Sequence, residues 1–267
     1  MVDEVELSVC VITYNQARYI AQAVESALMQ QTDFPLEIVV GEDCSTDETR
    51  AILLDLQARH PSRLRLLLGD RNIGMMANLE KTFTECRGRY IAILEGDDYW
   101  TDPHKLQKQF EALEAHADWT VCFHSVRCMH EDGGQPDFVF PRTSPGEVLA
   151  IDDILRRNFI QTCSVVYRRV ISELPAWLST LKLGDWPLHI LHAEHGKIGF
   201  LPRAREAGYQ YSTFFDNDRL TTQMRSELCG IDRLSFGYHF AATRDSGAVT
   251  TLWRGTLTGS LARSGRR

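Results

Sequence analysis

The amino-acid sequence predicts an α/β fold in which a mostly parallel sheet carries helices on both faces, a Rossmann-like α/β/α sandwich. Two observations predict it. Short apolar runs, rich in leucine or β-branched residues, recur along the amino-terminal part of the chain. Between them lie longer stretches whose apolar residues return at every third or fourth position, as helix faces do. Strand and helix thus alternate, the rhythm of parallel strands joined by helical crossovers.

The runs Leu7 to Ile12, Leu36 to Val40, Leu64 to Leu68 and Tyr90 to Leu94 read as buried strands with polar, charged or turn-forming flanks. The stretches Ala17 to Gln31, Asp47 to His60 and Met75 to Cys86 read as the helices between them. After Trp100 the pattern loosens into a helix over Pro103 to Ala115, a strand near Trp119 to Val126 and a Gly/Pro-rich stretch from Gly133 to Gly146. An apolar strand over Cys163 to Tyr167 and a helix beginning near Pro187 follow. No repeat or clean linker interrupts the chain, so residues 1–245 are expected to form one domain, followed by a basic tail over 246–267.

With 267 residues, 43% of them hydrophobic and 24% charged, the chain can bury one substantial core. A formal net charge of -7 gives no overall attraction to nucleic acid or anionic lipid, so nucleic acid is not an expected partner. The seven cysteines are odd in number, scattered and without a C-x-x-C pair, which suits a reducing compartment and indicates neither a disulfide framework nor a zinc ribbon. Met1-Val2-Asp3-Glu4 opens no basic, apolar leader, and no apolar run reaches the ~18 residues that span a bilayer. The expectation is a cytoplasmic protein.

In open α/β sheets, ligands bind beyond the carboxyl ends of the strands. The loops there read Thr13-Tyr14-Asn15, Glu42-Asp43-Cys44-Ser45, Gly69-Asp70-Arg71-Asn72 and Glu95-Gly96-Asp97-Asp98. Acids converging on one sheet edge repel unless a cation or hydrogen-bond donors are present, so a divalent metal, magnesium or manganese, is a physical expectation. The strand from Tyr90 to Leu94 delivers the pair Asp97 and Asp98, the oxygen donors through which such an ion bridges protein to substrate phosphates.

Taken together, Ser8 to Asn15, Glu37 to Asp47, Arg71-Asn72-Ile73-Gly74 with Asn78, and Glu95-Gly96-Asp97-Asp98 resemble the glycosyltransferases of family 2 with the A-type (GT-A) fold, a large inverting group of bacterial polysaccharide enzymes. The resemblance runs from Leu7 to about Ser212. It implies a GT-A-like nucleotide-diphospho-sugar transferase fold, a nucleotide-binding half over 1–100, an acceptor-binding half over 101–245, and a nucleotide-sugar donor. By position, Thr13, Tyr14 and Asn15 match the loop that lines the nucleoside pocket, and Asp43 beside Glu42 matches the acid that reads the base edge. Uracil and thymine offer an N–H there, which favours a UDP or dTDP donor. Asn72, Asn78 and Glu95 fall within matched donor-side motifs, and Asp97 and Asp98 match the metal-binding pair, Asp98 the direct ligand. Cys44 stands where the family has glycine, and Glu42 where aspartate is commoner.

The resemblance also implies that Asp185, in Gly184-Asp185-Trp186-Pro187-Leu188, is the catalytic base at the head of a helix facing the acceptor. A carboxylate there takes the proton of the attacking hydroxyl. The alternative is a helix cap. Thr162 and Ser164, with Trp186, fall on the acceptor side, for a saccharide or lipid-linked acceptor. Tyr209-Gln210-Tyr211-Ser212 occupies the place of a basic residue and a histidine in many relatives; Lys197, Arg203 and Arg205 are the candidate substitutes.

Cys122, His124, Cys128 and His130 have the ligand types of a zinc site, yet same-face neighbours on a strand lie more than ~6 Å apart, so they read as a core strand. His189 and His192 share a helical face with Asp185 and read as packing residues. In the tail, Val249, Leu252, Trp253, Leu257 and Leu261 can share a helical face beside Arg254, Arg263, Arg266 and Arg267, which suggests either a docking helix or peripheral contact with the inner face of a membrane. A dinucleotide-dependent oxidoreductase or a nucleotidyltransferase would need a glycine-rich loop after the first strand, and Thr13-Tyr14-Asn15-Gln16-Ala17 has no glycine. A non-catalytic nucleotide-sugar-binding homologue stays open.

Overall fold

A computed structural model describes residues 4–130, 136–181, 184–202, 207–211, 238–243 and 250–255. The chain divides into two compact units, Met1–Thr213 and Phe214–Arg267.

The first unit alternates strand and helix as the apolar pattern predicts: β1 (Leu7–Thr13), α1 (Ile20–Leu28), β2 (Leu36–Glu42), α2 (Thr49–Arg59), β3 (Leu64–Leu68), α3 (Met75–Glu85) and β4 (Tyr90–Glu95). There follow β5 (Tyr99–Trp100), α4 (Lys105–Ala115), β6 (Trp119–His124), β7 (Val126–His130), β8 (Phe138–Phe140), β9 (Val148–Leu149), α5 (Ile151–Arg156), β10 (Val166–Arg168), α6 (Asp185–Ala193), β11 (Lys197–Leu201) and β12 (Ala207–Tyr211). Eight strands form the main sheet in the order β3-β2-β1-β4-β10-β6-β11-β9. The pairs β1/β2, β1/β4, β2/β3 and β6/β11 are parallel, whereas β10 and β9 run against their neighbours. A second sheet has the order β5-β12-β7-β8.

Every residue of β1 is buried, as expected of a strand covered on both faces. Val9, Val11, Ile38, Val40, Ala92 and Leu94 form the core with Ile20, Val24, Leu53 and Leu56 of α1 and α2. Gly41 lets α3 approach β2: a Cβ there would stand 1.9 Å from the Thr82 hydroxyl and 2.6 Å from Asn78 Oδ1. The Asn78 amide uses that closeness to donate to the Gly41 carbonyl at 2.8 Å.

Two elements differ from the sequence expectation. Residues 162–164 form a 3-10 turn, and only Val166–Arg168 is strand. The reason is long-range: Trp100 Nε1 donates to the Cys163 carbonyl at 2.7 Å, and Gln109 Nε2 to the Ser164 carbonyl at 2.9 Å, so those carbonyls leave the ladder. The expected zinc-free strand is in fact two strands in different sheets, β6 and β7.

In the second unit, β13 (Tyr238–Thr243) pairs antiparallel with β14 (Thr250–Gly255). Leu252, Trp253 and Arg254 are therefore in a strand and not on a helical face, in keeping with the β-propensity of the threonines and tryptophan around them. Val249, Leu257, Leu261, Arg263, Arg266 and Arg267 lie outside the described residues. Among the described residues no helix is long and apolar enough to cross a membrane.

Gly41→Ala is expected to lower unfolding stability by about 1–3 kcal/mol through overpacking against Thr82 and Asn78; a denaturant midpoint equal to that of the native chain would contradict this close approach.

Candidate active site

Between β1 and β4 the strand order reverses: β2 and β3 lie on one side of β1, and β4 and the later strands on the other. Loops leaving the two strands part there and open a crevice at the carboxyl edge.

The loops after β1 and β2 are tied together by side chains acting on backbone. Ser45, Thr49 and Asp47 accept from the N–H groups of Asn15, Gln16 and Ala17 at 3.0, 2.8 and 3.0 Å, and Asn15 Oδ1 accepts from Thr46 N at 2.7 Å. Asn15 and Cys44 both sit in the left-handed region, at φ 52 and φ 58. Asparagine tolerates this region readily; at Cys44 the conformation accounts for the glycine that the family uses there. Glu42 is buried against Arg50, whose Nε donates to it at 2.6 Å, and Arg50 also reaches the Gly69 carbonyl. Asp43, also buried, accepts from Ile73 N at 2.8 Å and Gly74 N at 2.9 Å, which latches the β2 loop to the loop before α3. Each of its oxygens keeps a second lone pair.

At the tip of β4, the Asp98 backbone N–H donates to the Glu95 carbonyl at 2.9 Å, a tight turn that holds Glu95, Asp97 and Asp98 together. Gly96 is required inside it, because a Cβ would stand 2.4 Å from Gln16 Oε1 and 2.8 Å from Thr13 Oγ1. The Thr13 hydroxyl donates to Gln16 Oε1 at 2.8 Å, and the Gln16 side chain bonds Asp97 in turn. Burial raises Asp97 above its ordinary pKa, with the Gln16 bond opposing. Burial, reinforced by the charges of Asp97 and Asp185, pushes Glu95 up to about 8, while the Thr162 hydroxyl works against it.

Asp185 opens α6, whose N-cap is Gly184, so it is not the capping residue itself. Its carboxylate accepts from Asn158 Nδ2 at 3.1 Å and from the Trp186 backbone N–H, and burial raises its pKa against those bonds. Asp97, Asp185 and the Thr162 hydroxyl thus all act on Glu95 at the tip of β4.

Other candidates occupy different places. Tyr14 is exposed at the rim, and Asn72 caps the turn by accepting from Gly74 N at 3.1 Å. Asn78 is turned into the protein toward Gly41. Ser164 and Trp186 do not face the crevice: the Ser164 hydroxyl donates to the Gln161 carbonyl at 2.6 Å, and Trp186 Nε1 to the Ile154 carbonyl at 2.7 Å. Both side chains are buried. His189 and His192 pack on Tyr167, with His189 Nδ1 2.5 Å from its hydroxyl, and burial lowers them to about 3 and 4. Lys197 pairs with Asp118 at 2.8 Å at the start of β11, the opposite sheet edge, and cannot clamp a diphosphate at the crevice. Arg203 and Arg205 lie outside the described residues, whereas the backbone of β12 runs beside β5, just after the acid pair. Sequence reasoning missed Gln16, Arg50 and Asn158, whose roles appear only once distant loops are brought together.

The oxygen-only donor set of Asp97 and Asp98 fits a hard divalent ion. Among the described residues no three His, Cys, Asp or Glu side chains form a cage, and an ion bridging one or two carboxylates to phosphates needs none.

The sequence profile described as glycosyl transferase family 2 matches residues 8–175. The chain belongs to that family. This family 2 member is 46% identical over 198 residues to the uncharacterized protein Rv1520 of Mycobacterium tuberculosis, a match covering 73% of this chain and 56% of that one. The chain therefore spans little more than half the length of that relative. Its fold is similar to S. aureus TarS 1-349 in complex with UDP, with a TM-score of 0.58, 23% identity and coverage of 78% of this chain and 61% of that one. It is also similar to the mannosyltransferase PcManGT from Pyrobaculum calidifontis in complex with GDP-Man and Mn2+, at a TM-score of 0.56, 17% identity and coverage of 83% and 61%. These structural likenesses establish the GT-A-like fold for the family 2 chain.

Two expectations follow from the site's electrostatics and backbone. Because the folded chain holds the Glu95 proton more tightly than the unfolded one, this residue's stabilising contribution is complete below its ordinary value near 4.5 and is lost as pH rises through about 8. Glu95→Gln should flatten that decline and raise stability above pH 8 by on the order of 2 kcal/mol, read from denaturation midpoints across pH without added metal. Cys44→Gly should stabilise the fold by about 0.5–1 kcal/mol by removing the left-handed strain, and a loss of stability would count against that assignment.

Proposed function

We propose that the chain is an inverting glycosyltransferase that moves a sugar from a nucleotide-diphosphate donor, a UDP- or dTDP-sugar by preference, onto a hydroxyl of a saccharide or lipid-linked acceptor in bacterial polysaccharide or glycoconjugate synthesis. One observation carries the reading: Asp185, from the head of α6, lies near enough to Glu95 at the tip of β4 for its charge, with that of Asp97, to hold the Glu95 proton. This is the pairing of an acceptor-side carboxylate with a donor-side acid cluster that the reaction needs.

In this reading Thr13, Tyr14 and Asn15 line the nucleoside pocket, and Asp43 accepts the N–H of uracil or thymine with its remaining lone pairs. Asp97 and Asp98 would hold a manganese or magnesium ion, which supplies neutralisation of the departing diphosphate. Asp185 removes the proton of the acceptor hydroxyl as that oxygen attacks the anomeric carbon opposite the leaving group, so configuration inverts. Thr162 steadies Glu95 beneath the reacting centre. The family assignment supports glycosyl transfer; the acceptor lone pairs that Asp43 keeps beyond its two backbone contacts support a donor base with an N–H. The site of action in this reading is the cytoplasm, with membrane contact through the tail for a lipid-linked acceptor.

Asp185→Asn is expected to abolish transfer while donor binding remains within about twofold, and full turnover by this variant would remove Asp185 from the role. A thermal-shift screen of UDP-, dTDP- and GDP-sugars with manganese and with chelator should give the largest rise for a uridine or thymidine donor with metal. In Asp98→Ala that metal-dependent rise should disappear; indifference of the native chain to every donor would overturn the proposal.

A further inference from the structure

Asp185 is gripped by a residue that no motif singles out. Asn158 lies in the segment between α5 and the 3-10 turn, and its amide has a definite orientation. Asn158 Oδ1 accepts from Ile160 N at 3.0 Å, so the opposite end of the amide, Nδ2, faces the Asp185 carboxylate at 3.1 Å. A backbone N–H can only donate, which means that the amide cannot be reversed without losing that bond. The donor aimed at Asp185 is therefore fixed by the backbone of Asn158's own loop.

That loop is itself clamped. Phe159 and Ile160 are buried, and the following turn is held by Trp100 at the Cys163 carbonyl and Gln109 at the Ser164 carbonyl. The same segment sends the Thr162 hydroxyl to Glu95. One short stretch, 158–164, thus touches both acids that meet across the crevice.

We infer that Asn158 is the positioning residue of the catalytic base: it orients the Asp185 carboxylate toward the acceptor hydroxyl and favours its ionised, proton-accepting form. This rests on the reading of Asp185 given above. A neutral donor to a carboxylate stabilises the charged form, and burial at this place works in the opposite direction. The other titratable groups facing Asp185 are Glu95 at the tip of β4 and Tyr167 on β10, whose hydroxyl is engaged by His189 of α6. Neither offers Asp185 a positive charge, which leaves the Asn158 amide as the side-chain donor that opposes burial there.

The test is a double-mutant cycle on the full chain with Asn158→Ala, Asp185→Asn and the two combined, reading nucleoside diphosphate release from UDP-glucose, UDP-N-acetylglucosamine and GDP-mannose with manganese. Asn158→Ala is expected to lower kcat by roughly ten- to thirtyfold, as loss of one hydrogen bond to a charged group does, with donor KM unchanged. In the slow residual donor hydrolysis of Asp185→Asn, followed at high enzyme concentration, the same substitution should cost nothing further. Equal losses in both backgrounds, or a change in KM alone, would overturn the inference. If Asp185→Asn keeps full turnover, the reading of Asp185 as base is what fails; if no donor is consumed, the reading of these sugars as donors is what fails. The contact is then judged by carboxyl 13C NMR titration: an Asp185 pKa higher in Asn158→Ala than in the native chain upholds it, and an unchanged value refutes it.

Discussion

The crevice exists because β4 returns to pair with β1 on the side opposite β2. That parallel pairing, with Val9 opposite Ala92 and Ile12 opposite Glu95, sets the tip of β4 level with the loop that leaves β1. Everything placed there afterwards inherits its height from the register. Hydrophobic burial of Val9, Val11, Ala92 and Leu94 against Ile20 and Val24 of α1 makes a slip costly, since a shift by one residue would exchange this apolar set with the differently packed opposite face.

Around that fixed edge the loops are held by polar side chains bonding to backbone. Asp47, Thr49 and Ser45 occupy the N–H groups of 15–17, Asp43 those of 73 and 74, and Glu42 with Arg50 secures the Gly69 carbonyl. Buried polar groups joined this way are rigid as long as every partner is present. The arrangement leaves the acids of the β4 tip crowded and partly desolvated, which lowers the stability of the unliganded fold and leaves a demand for positive charge that a divalent ion would meet.

Much of the fold was legible because the first four strands and their helices obey simple periodicity, and the acids after β2 and β4 are contiguous in sequence. Most places where reading failed share a cause. Helix α1 begins at Ile20 and not near Ala17, the preceding residues forming a turn in which Tyr19 N and Ile20 N both donate to the Gln16 carbonyl. Cys163 and Ser164 have strand-like neighbours, yet their carbonyls answer to Trp100 and Gln109 from other elements. Ser164 and Trp186 looked accessible by position, and their hydrogen bonds to Gln161 and Ile154 turn them inward. Asn158 carries no local signal at all. Apart from the start of α1 and from Ser164, whose partner Gln161 flanks its own turn, the deciding partner lies on another element, where periodicity and propensity carry no information.

The latch at Asp43 has a consequence for how mutagenesis at that position is interpreted. Its carboxylate closes two backbone contacts across 30 and 31 residues of chain, so an alanine there unfastens the approach to α3 as well as emptying whatever the carboxylate faces. Asparagine keeps a single oxygen for two amides and has the same defect in milder form. Loss of ligand affinity in either variant would mix recognition with disorder, and the two separate only by varying the ligand's hydrogen-bonding edge against an intact protein.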